Sequence, residues 1–177
     1  MRAGAGLRVV AVAVTVAGML AGCSSGYDAE DVAYAGDYGS HPALAVVGYP
    51  STGSLGITQQ VVWRMADGKA DELAALVADK EEKGVPEKTA ANWIAAFGKG
   101  ARGKVTAEFY DEGSLRQEVV LYLHDTGQIK QIQVRATRVD DKDVWRVTMD
   151  EPTPEEATTV HPWVPKKPGE LGSRTGG

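Results

Sequence analysis

The sequence predicts an α+β fold: three N-terminal helices packed on a four-stranded antiparallel meander sheet, covering one of its faces. Three observations predict it. Apolar residues recur at helical spacing from Ile57 to Phe97. From Lys104 onward the period falls to two, with turn clusters every 10–12 residues or so. The 177 residues accommodate one domain of ordinary size, and both ends are poor in apolar periodicity.

The helices come first. Ile57, Val61 and Met65 fall four apart on a single face. Gly53-Ser54-Leu55-Gly56 reads as a loop before that helix, with Thr58 as its cap. Asp67-Gly68 breaks the helix, and Leu73, Leu76 and Val77 with Ala70 and Ala74 make the next face. Gly84-Val85-Pro86 is a stop and restart, since proline is tolerated in a first turn. Thr89 is the expected cap of the third helix, whose stripe is Ala90, Trp93, Ile94 and Phe97; Gly98 is expected to end it in the left-handed conformation.

The strands follow at 104–110, 115–124, 129–139 and 144–149. Asp111-Glu112-Gly113, Asp125 to Gln128 and Asp140 to Asp143 read as short hairpin loops, which make neighbouring strands antiparallel. A left-handed Gly113 would pair Phe109 with Leu115; the later loops would pair Leu121 with Ile132 and Ala136 with Val147. This register gathers Val105, Ala107, Phe109, Val119, Leu121, Leu123, Ile132, Val134, Ala136, Trp145, Val147 and Met149 on one face. Thr106, Glu108, Arg116, Glu118, Gln131, Gln133, Arg135, Arg146 and Thr148 fall on the other. That second face is expected to be wet apart from Val120, Tyr122 and Val144, and residues 42–56 are left open as strand, helix or loop.

The N-terminus carries a different signal. Residues 1–22 contain Arg2 and Arg8 and no acid, and Val9 to Leu20 is an almost unbroken apolar run. About 12 residues is too short to span a bilayer but suits a secretory signal. The run ends in Leu20-Ala21-Gly22-Cys23, which resembles the bacterial lipobox. The resemblance implies cleavage between Gly22 and Cys23, fatty acylation of Cys23, and anchoring to the extracytoplasmic face of the cell membrane. Two or three acyl chains, at about 0.8 kcal/mol per buried methylene, hold where one does not. Cys23 is the chain's single cysteine, so an internal disulfide and a thiolate zinc site are excluded.

Residues 23–41 are rich in Ser, Gly, Asp, Ala and Tyr, with four acids and no Lys or Arg, and read as a disordered tether. Tyr27, Tyr34 and Tyr38 fit spacer composition. Residues 151–177 hold five of the eight prolines and read as a disordered tail, with His161-Pro162-Trp163 able to dock locally. The folded domain is therefore expected over 42–150.

Helix–helix–helix–meander order, with the stretch Ala66-Asp67-Gly68-Lys69-Ala70-Asp71-Glu72-Leu73-Ala74-Ala75-Leu76, resembles the cystatin-like, nuclear-transport-factor-2-like fold. Exported members are common among lipoproteins of high-GC Gram-positive bacteria. The resemblance implies a cone between helices and sheet, and a protein class mostly without assigned function. It also extends to ketosteroid isomerases and related dehydratases, which place an Asp or His inside the cone, where burial raises a carboxyl pKa.

Chemistry-bearing motifs are few. Gly98-Lys99-Gly100-Ala101-Arg102-Gly103 spells a dinucleotide fingerprint, but a helix precedes it and a strand follows, the reverse of what pyrophosphate binding needs. It reads as a connector, and no cofactor is expected. His41, His124 and His161 lie far apart at no ligand spacing, and Asp140-Asp141-Lys142-Asp143 lacks the glycine and distal glutamate of a calcium loop, so no metal is expected. Neither a G-x-S-x-G elbow nor an S-x-x-K with K-T-G occurs. The expected inward strand positions carry no Asp, Glu or His, so no catalytic residue is assigned. Trp63, Trp93 and Trp145 are expected in the core.

The formal net charge is -5, and removal of residues 1–22 leaves 17 basic against 24 acidic side chains, an unsuitable balance for nucleic acid. The expectation is a lipid-anchored cell-envelope protein, non-catalytic, acting as a binding or scaffolding module. The alternative is a carrier of a small apolar ligand or an isomerase-like enzyme using the cone. The candidate partner surface, for another protein or a homodimer, is the sheet face at Val120, Tyr122, Gln131, Gln133 and Arg135.

Overall fold

Leucine, valine and tryptophan positions at helical spacing form helices, and the two-residue period forms strands, but around a larger frame than expected. The computed structural model describes residues 29–77, 84–111, 113, 115–139 and 141–170. The signal sequence, with Gly22 and Cys23, lies outside the described residues. The element order is α1 (Ala29–Ser40), β1 (Ala45–Gly48), α2 (Thr52–Asp67), α3 (Ala70–Ala74), α4 (Val85–Ala101), β2 (Val105–Asp111), β3 (Arg116–Leu123), β4 (Gln128–Val139), β5 (Lys142–Val147) and α5 (Pro154–Thr158).

The α+β class holds, with two corrections. The sheet has five strands in the order β1-β2-β3-β4-β5, and β1 runs parallel to β2, so the sheet is mixed. The apolar run Ala43 to Val47 thus supplies an edge strand, pairing Val46 with Ala107. Among the described residues the helices number five, and two of them fall in the segments expected to be disordered: α1 in the tether and α5 in the tail. Composition misleads there because tertiary contacts hold both elements, as shown below.

The local devices differ in detail. Ser51, not Thr58, caps α2 by accepting from the Ser54 backbone N–H, and the expected loop 53–56 is the first turn of the helix. Thr58 instead donates to the Ser54 carbonyl at 2.7 Å. Gly68 ends α2 in the left-handed conformation at φ 74°. Gly84 precedes α4 and Pro86 sits in its first turn, so Thr89 is an interior, buried residue. Gly98 does not end α4, which continues to Ala101. A Cβ there would stand 3.0 Å from the Met65 carbonyl oxygen, so glycine lets α4 cross α2 closely.

The meander pairs antiparallel from β2 to β5, but in shifted register. Phe109 faces Val119, Val119 faces Ile132 and Val134 faces Val147. The first hairpin is offset by four residues from expectation and the others by two. The loops differ: Asp111 pairs with Gln117, Leu123 with Gln128, and Val139 with Lys142. Every offset is even, so the face assignment survives. Leu115 leaves the sheet and is 57 % exposed.

The core lies between this sheet face and α2, α3 and α4. It includes Ile57, Val61, Met65, Leu73, Trp93, Phe97, Val119, Leu121 and Val134, and it ends at Ala157 of α5. A second, small cluster of Val120, Tyr122 and Val164 lies on the opposite face. None of the described helices is long and apolar enough to cross a membrane.

Candidate functional site

Strand alternation puts Lys130 on the same side of β4 as Ile132 and Val134, among the core side chains. Its side chain is 1 % exposed. The ammonium donates to Glu151 Oε2 at 2.6 Å and to the Ala157 carbonyl at 3.0 Å. It also lies 4.4 Å from the centre of the Trp93 ring. Trp93 Nε1 donates to the same Glu151 oxygen at 2.8 Å, and Asn92 holds the Pro152 carbonyl at 3.0 Å. Burial pushes the Lys130 pKa down, opposed by the charge and hydrogen bond of Glu151. An ammonium in this surrounding is stable only with its partners, so the constellation ties Glu151 and α5 to α4 and β4. A capping box of Thr153 and Glu156 orders α5 itself.

Beside this pin, where β5 has ended and the chain turns toward α5, lies an open groove of about 400 Å³. Glu118, Asp150, Glu151 and Glu156 line it with Gln131, Gln133 and His161.

The tail then crosses to the outer sheet face. Tyr122 donates to the Pro165 carbonyl at 3.2 Å and to Glu108 Oε2 at 3.0 Å, and the Gly169 N–H donates to Glu108 Oε1 at 3.2 Å. Trp163 stands edge-on to Tyr110, with centroids 5.3 Å apart. Burial, then the Glu108 charge, pushes the Tyr110 pKa up to about 12, and burial with the Glu108 hydrogen bond raises that of Tyr122.

The expected partner surface therefore needs correction. Val120 and Tyr122 are 0 % and 4 % exposed, because the chain's own tail lies on them. Thr106 and Glu108, expected wet, are buried as well. Gln131, Gln133 and Arg135 are half-buried, and the two glutamines belong to the groove. The inward face does carry a titratable group, Lys130. The strand period alone could have placed it there, since 130, 132 and 134 share a side; its partner comes from the segment read as disordered.

The tether residues also find partners. Tyr34, Tyr38 and His41 surround Trp63, with the His41 ring stacked at 5.2 Å. Tyr34 donates to Gln59, and Asp37 pairs with Arg64 at 2.5 Å. Trp63 and Trp93 are core residues; Trp145 is only partly buried. Gly100 and Gly103 pack on the turn after β3: a Cβ at 100 would stand 2.8 Å from Leu123, and one at 103 would collide with Asp125. Among the described residues no group of three or more His, Cys, Asp or Glu is arranged to hold a metal ion.

No family model, curated protein or solved structure matches this chain.

Proposed function

We propose that the protein is a lipid-anchored, non-catalytic binding module of the cell envelope, held on the extracytoplasmic face of the membrane through Cys23. We further propose that its helices and meander are a cystatin-like cone, of the nuclear-transport-factor-2-like kind, enlarged by β1. The observation that carries the binding reading is the pinned interior. The space between α4 and the sheet is filled by Trp93, Phe97, Leu121 and Leu123, and the inward ammonium of Lys130 is occupied by Glu151 and Ala157. Recognition then belongs to the surface, where the groove beside Gln131 and Gln133 stays open next to the tail. The anchor rests on the lipobox-like stretch Leu20-Ala21-Gly22-Cys23.

Two measurements test this. Cys23→Ser should move the protein from the membrane to the soluble fraction; retention in the membrane would refute the anchor. Lys130 should resist amine- and carbonyl-directed labelling of the folded chain. Borohydride trapping of a carbonyl compound on Lys130 would instead make it a working nucleophile and the protein a catalyst.

A further inference from the structure

Among the described residues, one face of α2 borders an open trough between α1 and the edge strand β5. Gly53, Gly56, Ile57, Gln60 and Arg64 follow one another along it at helical spacing and floor a trough of about 540 Å³. This is within the size range of small-molecule sites. Tyr34 and Asp37 of α1 form one wall, and Trp145 and Arg146 of β5 the other.

The two glycines have different reasons. A Cβ at Gly53 would collide with the Trp145 indole, so Gly53 lets the indole lie directly on the helix backbone. At Gly56 a Cβ would meet only the Tyr34 ring, at 3.9 Å, an ordinary contact. Among the described residues nothing in the packing requires glycine there, although glycine inside a helix is unfavourable relative to alanine. Its effect is to keep the floor of the trough low.

The charge at the trough is also distinctive. The chain is acidic overall, yet Arg64, Lys142 and Arg146 line the trough against Asp37 and Asp143. Arg64 gives Nη2 to Asp37 and Nε to Glu72, while its buried Nη1 has no hydrogen-bond partner among the described residues. Arg64 thus lines the trough with one donor that no described residue satisfies. Arg146 is held at the rim by donating to the Trp145 carbonyl at 3.0 Å. A floor kept low at Gly56, an aromatic side chain in each wall and arginine donors together select a molecule with an apolar body and an anionic head.

We infer that the trough between α1, α2 and β5 is a binding site for an anionic amphiphile, seated on Gly56 against Trp145 with its head toward Arg64 and Arg146. This goes beyond the binding module proposed above, and its test does not depend on the anchor.

The test uses residues 24–177, which retain every described element, without detergent. The probe is 8-anilinonaphthalene-1-sulfonate, a flat apolar anion whose fluorescence rises out of water. One saturable site is expected, binding at least tenfold more tightly than uncharged N-phenyl-1-naphthylamine. Gly56→Leu should weaken it at least tenfold, and Gly56→Ala, whose methyl fits, about threefold, with a melting temperature equal to or above wild type. Arg146→Gln should weaken it at least threefold. Displacement by free decanoate would identify a soluble amphiphile as the source. Sedimentation with phosphatidylglycerol vesicles, abolished by Gly56→Leu, would identify a membrane lipid. Absence of saturable binding, equal binding of the neutral analogue, or unchanged affinity in both Gly56 variants would overturn the inference.

Discussion

The ammonium of Lys130 and the carboxylate of Glu151 meet at 2.6 Å, joining the start of β4 to the first residues after the sheet. The lysine is buried and the glutamate about a quarter exposed. Removing one partner is therefore not equivalent to removing the other. Glu151→Gln leaves a buried ammonium without its counter-charge and should cost about 2–3 kcal/mol, less than a fully buried pair because Glu151 is partly solvated. Lys130→Met removes the charge and keeps the volume, and should change stability by no more than about 1 kcal/mol. Urea unfolding of both variants checks the order; equal losses would mean that the pair contributes through packing alone.

The same lysine gives a pH dependence with a definite sign. Its pKa is lowered in the folded state, mainly by desolvation, so between that value and 10.5 the unfolded chain binds more protons. The penalty for burying the ammonium is present in full below the folded pKa. It fades as pH rises through that value toward 10.5. The stability of wild type relative to Lys130→Met should accordingly improve with rising pH over that window, which denaturant midpoints at a series of pH values would measure.

Much of the fold was legible in the sequence, and the reason is periodicity. Ile57, Val61 and Met65 mark α2, and Val105, Ala107 and Phe109 mark the buried face of β2, because burial acts on every fourth or every second residue. Register was less legible. It depends on where each turn begins, and the β4–β5 turn is tighter than expected, with Asp141 at φ 62°, a conformation that aspartate tolerates. The candidate site was the least legible part. Glu151, Val164 and Pro165 reach their partners across long sequence separations from a proline-rich tail, and α1 depends on Tyr34, Tyr38 and His41 closing on Trp63. Low apolar content conceals such elements, since a few contacts made elsewhere in the chain hold them.

The docking of α1 can be tested in acid. Asp37 has its pKa lowered first by its hydrogen bond to Arg64, so its contribution is present above 3.8 and lost as pH falls through the folded value. Asp37→Asn should weaken docking by about 1.5–3 kcal/mol at neutral pH, as for a hydrogen bond to a charged group. Amide hydrogen exchange over residues 29–40 should quicken in the variant while α4 stays protected. In wild type the same amides should lose protection selectively below pH 3.8.

The glycines of the 98–103 stretch offer a test of packing against ligand binding. Gly100 lies in the last turn of α4 against the turn that follows β3, where a Cβ would be 2.8 Å from Leu123 and 2.6 Å from Thr126. Gly100→Ala should cost about 1–3 kcal/mol through overpacking, and no nucleotide should restore the loss. Thermal unfolding with and without NAD checks both halves; a nucleotide-dependent rise in melting temperature would make the stretch a phosphate loop after all.

The tail and the outer sheet face are coupled through Tyr122, and alkali should separate them. The Tyr122 hydroxyl shares its one proton between Glu108 and the Pro165 carbonyl, and its raised pKa means that the folded state favours the neutral phenol. Such a group stabilises in full below its unfolded pKa of about 10, and the contribution is lost as pH rises toward the folded value. Tyr110, held up to about 12 beside Glu108, acts in the same direction. Tyr122→Phe removes the one hydroxyl proton shared between Glu108 and Pro165, leaves Glu108 buried with one fewer donor, and should cost about 1–3 kcal/mol. The loss should appear first in the tail. Limited proteolysis at Lys166 or Lys167 should accelerate in the variant at pH 7, and wild type should approach the variant's rate only above pH 10. Equal cleavage of the two proteins at pH 7 would show that the tail is held by Val164 and Trp163 alone.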